Sequence, residues 1–286
     1  MHINMKYYIV TIGAIFIALG IGMLVGFNLN YDQELSKQQA AIIDGLDAKF
    51  EDIKTTNDDL QKKLNKKNTE LKKIVNYLNE NYLTLIKDQL QDRNIGIISI
   101  SENNNSQEIA KTISEANGEV SFDIVIKKGI LNKDKIKELN SKLQLKTEKD
   151  ALIYIADCLK EENAIEKLKQ LEKLDIIKIN NISDNYSNFS QVVMNSYGID
   201  EFSKEFTNID KVIIDKLKES DKYIIEAHKN DSKFANLENY KKSKIPNINN
   251  IEQGVGKLSL VCALKDSVEK GNFGVGDKAD SLIPFK

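Results

Sequence analysis

Between Tyr7 and Phe27 the chain runs for 21 residues without a charge, YYIVTIGAIFIALGIGMLVGF. A helix of that length measures about 32 Å, enough to cross a hydrocarbon core of about 30 Å. The segment is apolar on every side, so it lacks the polar face of a helix packed at the surface of a water-soluble core. A cleaved signal peptide has an apolar region of only about 7–15 residues followed by small residues at the cut. Neither feature is present, and no Cys follows to accept a lipid. The expected first partner is therefore the lipid bilayer, crossed once by an uncleaved anchor spanning residues 1–29. Lys6 and the α-amino group precede the run, whereas Asp32 and Glu34 follow it, with Lys37 and Lys49 further on. This asymmetry predicts a cell-membrane protein with a cytoplasmic N-terminus and an extracytoplasmic body. Within the run, Ala14, Ala18, Gly22 and Gly26 recur every fourth residue and form a stripe of small side chains on which a second helix can pack closely.

Residues 30–93 contain no Pro and a single Gly, Gly45. Spacings of three and four alternate through Ile43, Leu46, Phe50, Ile53, Asn57, Leu60, Leu64, Lys67, Leu71, Ile74, Leu78, Asn81 and Leu85. Ten of these thirteen are apolar, which predicts a coiled-coil stalk. With Ile43 at position a, Asn57 also falls at a, where Asn commonly sets the register of parallel dimers. Lys67 and Asn81 weaken the seam. The stripe and the seam together predict a parallel homodimer, with an interface of Ala14, Ala18, Gly22, Gly26, Ile43, Leu46, Phe50, Ile53, Asn57, Leu60, Leu64, Leu71, Ile74 and Leu78.

From residue 94 to 286 the pattern changes. Apolar runs at Ile95–Ser101, Ser121–Lys128, Ala151–Asp157, Asp175–Ile179, Lys222–Ala227 and Lys257–Leu264 read as strands, and amphipathic helical stretches lie between them. Such alternation predicts an α/β fold, a Rossmann-like domain with a mostly parallel sheet covered on both faces. The net charge of −2, from 41 basic and 43 acidic residues, supplies no electrostatic footprint for nucleic acid. Two Cys and two His exclude a disulfide-dense scaffold and the multi-Cys or multi-His zinc motifs.

Little in this domain reads as catalytic chemistry. The phosphate-binding patterns GxGxxG and GxxxxGK[ST] and the GxSxG nucleophile elbow are all missing. Gly271, Gly274 and Gly276 in GNFGVGD read as turn residues. His228, just past a strand and near Glu226 and Asp231, reads as a surface or loop His, the alternative being a general base. Asp157 and Cys158 read as the end of a strand and Cys262 as a strand core residue; their pairing in a disulfide stays open. The domain is expected to be non-catalytic and to need no cofactor.

The opening NMKYYIVTIGAIFIALGIGMLVG, the helix behind it and the closing GKLSLVCALKDSVEKGNFGVGDKADSLIP together resemble the MctB family of copper transport proteins, through the whole chain. The resemblance implies copper export through an outer-membrane pore. For the SteB-type relatives it implies a membrane-anchored division factor that pairs with a cytoplasmic SteA-like partner and controls an envelope enzyme of cell-wall hydrolysis. The ligand inventory gives copper little support. Copper(I) takes thiolate and thioether sulfur, and His serves copper(II). Only Met1, His2 and Met5 cluster locally; Met23, Cys158, Met194, His228 and Cys262 are scattered. One apolar helix whose polar side chain is Thr11 cannot enclose a pore alone. A dimeric envelope scaffold or regulator is therefore the expected role, with copper transport as the alternative.

Overall fold

The computed structural model describes residues 5–100, 106–196, 205–229, 236–276 and 278–285, with backbone alone for 28–34. Helix α1 (Met5–Ile86) is one unbroken element of 82 residues. The chain divides into two units, Met1–Lys72 and Lys73–Lys286. The division falls within α1.

In the first unit α1 makes no tertiary core. Met5–Phe27 has a mean hydropathy of 2.5 and is unburied, long and apolar enough to cross a membrane. The Thr11 hydroxyl donates to Tyr7 O within the same helix, so even this polar group is satisfied internally.

The second unit is built on a seven-stranded sheet ordered β3-β2-β1-β4-β5-β6-β7. Its strands are β1 (Asn94–Ile100), β2 (Glu119–Ile126), β3 (Ile177–Ile182), β4 (Gln191–Asn195), β5 (Tyr223–Ala227), β6 (Asn247–Ile248) and β7 (Asn272–Phe273). All neighbours are parallel except β2 and β3. The helices are α2 (Ser106–Glu115), α3 (Lys133–Leu143), α4 (Glu148–Lys160), α5 (Ile165–Lys173), α6 (Asp210–Lys218), α7 (Leu237–Lys242) and α8 (Gly254–Asp266). One face of the sheet packs a core with α3 to α7; the other packs α2, α8 and the last turns of α1. Leu78 and Tyr82 of α1 pack against this second core, and Ile86 is buried within it. Asn79 Oδ1 accepts the Val255 N–H at 3.0 Å at the start of α8. Gly254 permits that approach, since a Cβ there would stand 2.6 Å from Asn79 Cα.

Two expected strands are helices. Ala151–Asp157 lies in α4, started by a capping box between Thr147 and Asp150. Its buried Ala151, Leu152, Ile155, Ala156 and Leu159 follow a helical spacing. Lys257–Leu264 lies in α8, where burial on almost every side removes the polar stripe that marks a helix in sequence. Conversely, β4 went unrecognised because QVVMN is short and sits among polar residues. The Ile177–Ile182 strand runs antiparallel at the sheet edge. Leu152 is fully buried, so Leu152→Ala is expected to cost about 2–5 kcal/mol, from lost transfer energy and the cavity left behind. Urea unfolding followed by tyrosine fluorescence in detergent measures it; a loss below about 1 kcal/mol contradicts the burial assigned to α4.

Candidate functional site

The interface residues expected from the sequence all lie on α1. Gly22 and Gly26 are exposed, and a Cβ at either would meet nothing within 4 Å. No packing within the chain therefore requires glycine there. Ala14 and Ala18 stand on the same exposed helix. Ile43, Leu46, Phe50, Ile53, Leu60, Leu64, Leu71 and Ile74 are all exposed, by 41% at Leu71 and 64% at Ile53. Asn57 is exposed as well. Leu78 differs: its side chain is partly buried against the second core of the sheet domain. A water-exposed row of large aliphatic side chains is a surface waiting for a complementary one.

The carboxyl ends of β4 and β5 carry a buried polar cluster. Ser196 follows β4 directly, Glu226 lies in β5, and His228 stands one residue beyond it. Asp210 opens α6 and Tyr240 lies in α7. All five are buried. The His228 backbone is fixed by its N–H donating to Ile248 O at 2.9 Å and its carbonyl accepting from Ile251 N at 3.2 Å. His228 Nδ1 then lies 2.6 Å from Glu226 Oε2, close enough to share one proton. The Tyr240 hydroxyl donates to Asp210 Oδ1 and lies 2.6 Å from Ser196 Oγ. Phe206 packs edge-on against the Tyr240 ring at 5.0 Å.

Burial dominates the electrostatics here. It pushes Asp210 up to about 6, against the Ser196 and Tyr240 hydroxyls that favour its charge; the nearby Glu226 adds to the rise. Burial also raises Glu226, with His228 and the Ser196 backbone N–H working the other way. Tyr240 is raised by burial and by both carboxylates. Such a cluster holds protons and ties β4, α6, β5 and α7 together. None of its side chains presents a nucleophile to solvent, and among the described residues no group of three His, Cys, Asp or Glu could hold a metal ion.

His228 is therefore an interior residue, not the surface or loop His expected from sequence. The sequence signal for it was its position one residue after a strand beside Glu226; Asp231 lies outside the described residues. Ser196, Asp210 and Tyr240 were missed because they come from three separate polar segments that only the sheet brings together. Asp157 and Cys158 sit inside α4, not at a strand end. Asp157 is salt-bridged to Lys160 at 2.9 Å and Lys216 at 3.5 Å. Cys158 and Cys262 are free thiols. They pack on opposite faces of the sheet, which rules out their disulfide. Gly271, Gly274 and Gly276 have φ of 132°, 126° and 147°, the turn geometry that favours glycine.

The soft-ligand inventory is dispersed as well. Met194 is fully buried, Met5 and Met23 are exposed along the apolar part of α1, and Met1 and His2 lie outside the described residues. Burial pushes the Cys158 thiol up to about 11, which keeps it protonated and a poor metal ligand.

A family model described as "Copper transport outer membrane protein, MctB" matches residues 2–180. The chain belongs to the MctB family. The match covers α1, the first two strands and most of β3. The His228 and Asp210 cluster and the GNFGVGD turn lie beyond the matched residues, so the resemblance to MctB proteins is established over less of the chain than its closing motif implied. No curated protein matches the chain. The candidate span of this MctB protein is an α-helix. Its sheet is open and mostly parallel with both faces covered by helices, unlike the closed antiparallel barrels that outer membranes hold.

Proposed function

We propose that this MctB protein is a non-catalytic, membrane-anchored scaffold or regulator that works as a parallel homodimer. The observation that carries this reading is the exposed apolar row on α1 from Ile43 to Ile74; the small-residue stripe of the anchor is a second exposed feature of the same helix. A second copy of the same helix fits both. Ile, Leu and Phe at alternating spacings of three and four make knobs for a matching seam, and Asn57 pairs with itself only in a parallel register. In the bilayer, close approach over Ala14, Ala18, Gly22 and Gly26 supplies packing where no hydrophobic force between helices exists. A cytoplasmic SteA-like partner that favours one helix arrangement would bias the paired extracytoplasmic domains, and these would in turn recruit an envelope enzyme. Such coupling requires the partner to bind two arrangements with different affinities.

Single Gly22→Cys and Leu64→Cys variants in membranes test the dimer. Both are expected to give disulfide-linked dimers on mild oxidation, whereas the unsubstituted chain, with Cys158 buried and Cys262 half-buried, does not. Failure of both positions to crosslink removes the reading.

Copper transport is the second reading, and the family description favours it. It predicts copper sensitivity when the gene is deleted and copper-dependent conductance of the purified oligomer. The scaffold reading predicts a division or envelope phenotype with unchanged copper tolerance.

A further inference from the structure

A cavity of about 570 Å³ opens at the β6–β7 end of the sheet. That volume is within the range of small-molecule sites. Its lining residues lie in the second unit and include none of the Asp210 cluster. Ile245 stands two residues before β6, Phe273 belongs to β7, and Val268 follows α8. Ile245 and Phe273 are buried and Val268 is half-buried, so the three make an apolar floor. Phe285 lines the cavity as well, yet 77% of it remains exposed. A concave apolar floor beside an uncovered ring leaves area that a ligand can take out of water.

The charged part of the lining selects the ligand. Lys241 of α7 and Lys270, two residues before β7, share this cavity. Neither makes an ion pair or a hydrogen bond among the described residues. Asp280 lines it too, but its Oδ2 accepts the Asn272 N–H at 2.9 Å and it pairs with neither lysine. Elsewhere in this unit lysines beside carboxylates do pair, Lys127 and Lys135 with Asp175 and Lys257 with Glu108. Two ammonium groups against one carboxylate leave one net positive charge above the apolar floor. A neighbouring hollow of about 280 Å³ shares Ile245 but differs in this respect. Its Lys218 already donates to Ser243 O at 2.7 Å and its Lys222 to Phe189 O at 2.5 Å, and Glu269 offsets the charge of Lys244.

We infer that the larger cavity binds an apolar carboxylate, a small molecule whose hydrocarbon body covers Ile245, Val268 and Phe273 while its carboxylate meets Lys241 and Lys270. An ammonium on a flexible stem is a point charge that can follow a carboxylate without the fixed fork of Arg. One net positive charge matches a monoanion; a phosphate monoester, at about −1.5 to −2 near neutral pH, would overfill it. A cation with the same body would be repelled by both lysines. The site lies within the sheet domain and does not rest on the proposed dimer, so either can fail alone.

Calorimetric titration of the full chain in phosphatidylcholine nanodiscs with decanoate tests this, with empty nanodiscs as the reference for partition into lipid. Decylamine, with a comparable chain and the opposite charge, is the second probe. Saturable binding of decanoate is expected, with little or none of decylamine. Lys241→Gln and Lys270→Gln should each weaken decanoate about fivefold or more. Lys242→Gln, also on α7 but outside the lining, should leave it unchanged. All three lysines are exposed, so the variants should match the parent in far-UV circular dichroism. No saturable binding of decanoate at millimolar concentration overturns the site. So do equal binding of the two probes, full affinity in both lining variants, or a loss in Lys242→Gln as large as that in Lys241→Gln.

Discussion

His228→Ala is expected to lower the stability of the folded chain by about 3–5 kcal/mol at neutral pH. The reason is Glu226 more than the histidine. Glu226 is fully buried in β5, and His228 Nδ1, 2.6 Å away, is a partner that offsets the burial of its carboxyl. Without the imidazole, Glu226 must take up a proton from solvent or remain charged in the interior; either raises the free energy of the fold. Glu226→Gln in the same background should recover part of the loss, because a neutral amide has far less to lose on burial. A double-mutant cycle read by urea unfolding measures the coupling between the two positions. A single-variant loss below about 1 kcal/mol, or strictly additive losses, would show that the pair is not the unit described.

The second large effect is a pH dependence assigned to Asp210. Its carboxyl is pushed up to about 6 in the fold against 3.8 for an ordinary aspartate. The folded state therefore binds the extra proton between those values. Its contribution to stability is complete below about pH 4 and is lost as pH rises through about 6, a total of about 3 kcal/mol. The facing groups are Tyr240 of α7, Glu226 of β5 and, through Glu226, His228; Ser196 adds a hydroxyl. Asp150, Glu166 and Asp175 are held low by Thr147, by Lys169, and by Lys127 and Lys135 respectively, so they change stability in the opposite direction. They lie at the surface, where solvent screening keeps such contributions small. Asp210→Asn isolates the buried group, since its Oδ1 still accepts from Tyr240. The stability difference between parent and variant should move in favour of the variant by about 3 kcal/mol from pH 4 to pH 7. A difference that stays flat across that range contradicts the assignment.

The legibility of this chain in sequence follows from how each part meets its surroundings. Tyr7–Phe27 and the alternating row from Ile43 to Ile74 were readable because α1 is shaped by periodicity along one element, and distant residues scarcely touch it there. β1, β2 and β5 were readable because each is a compact apolar run buried on both faces. α4 and α8 were not: a helix buried on most sides shows the same short apolar run as a buried strand, and length and pattern fail together. The Thr147 and Asp150 capping box was visible in the sequence and was the signal that could have identified α4. β4 failed for the opposite reason, since its neighbours on the sheet, not its own composition, make QVVMN a central strand.

The sequence by itself determined an apolar anchor, a long heptad-bearing helix, an α/β class and membership in a copper-labelled family. Those are properties of local spacing and composition, which survive without tertiary contacts. Only the tertiary structure decided that His228 is an interior partner of Glu226, that Asp210 and Tyr240 join Ser196 across three elements, and that Cys158 and Cys262 lie on opposite sides of the sheet. It also brought Lys241 and Lys270 to one cavity. Each of these depends on which distant segments share a strand end, and that is set by sheet order and crossover direction rather than by the residues that flank each position in the chain.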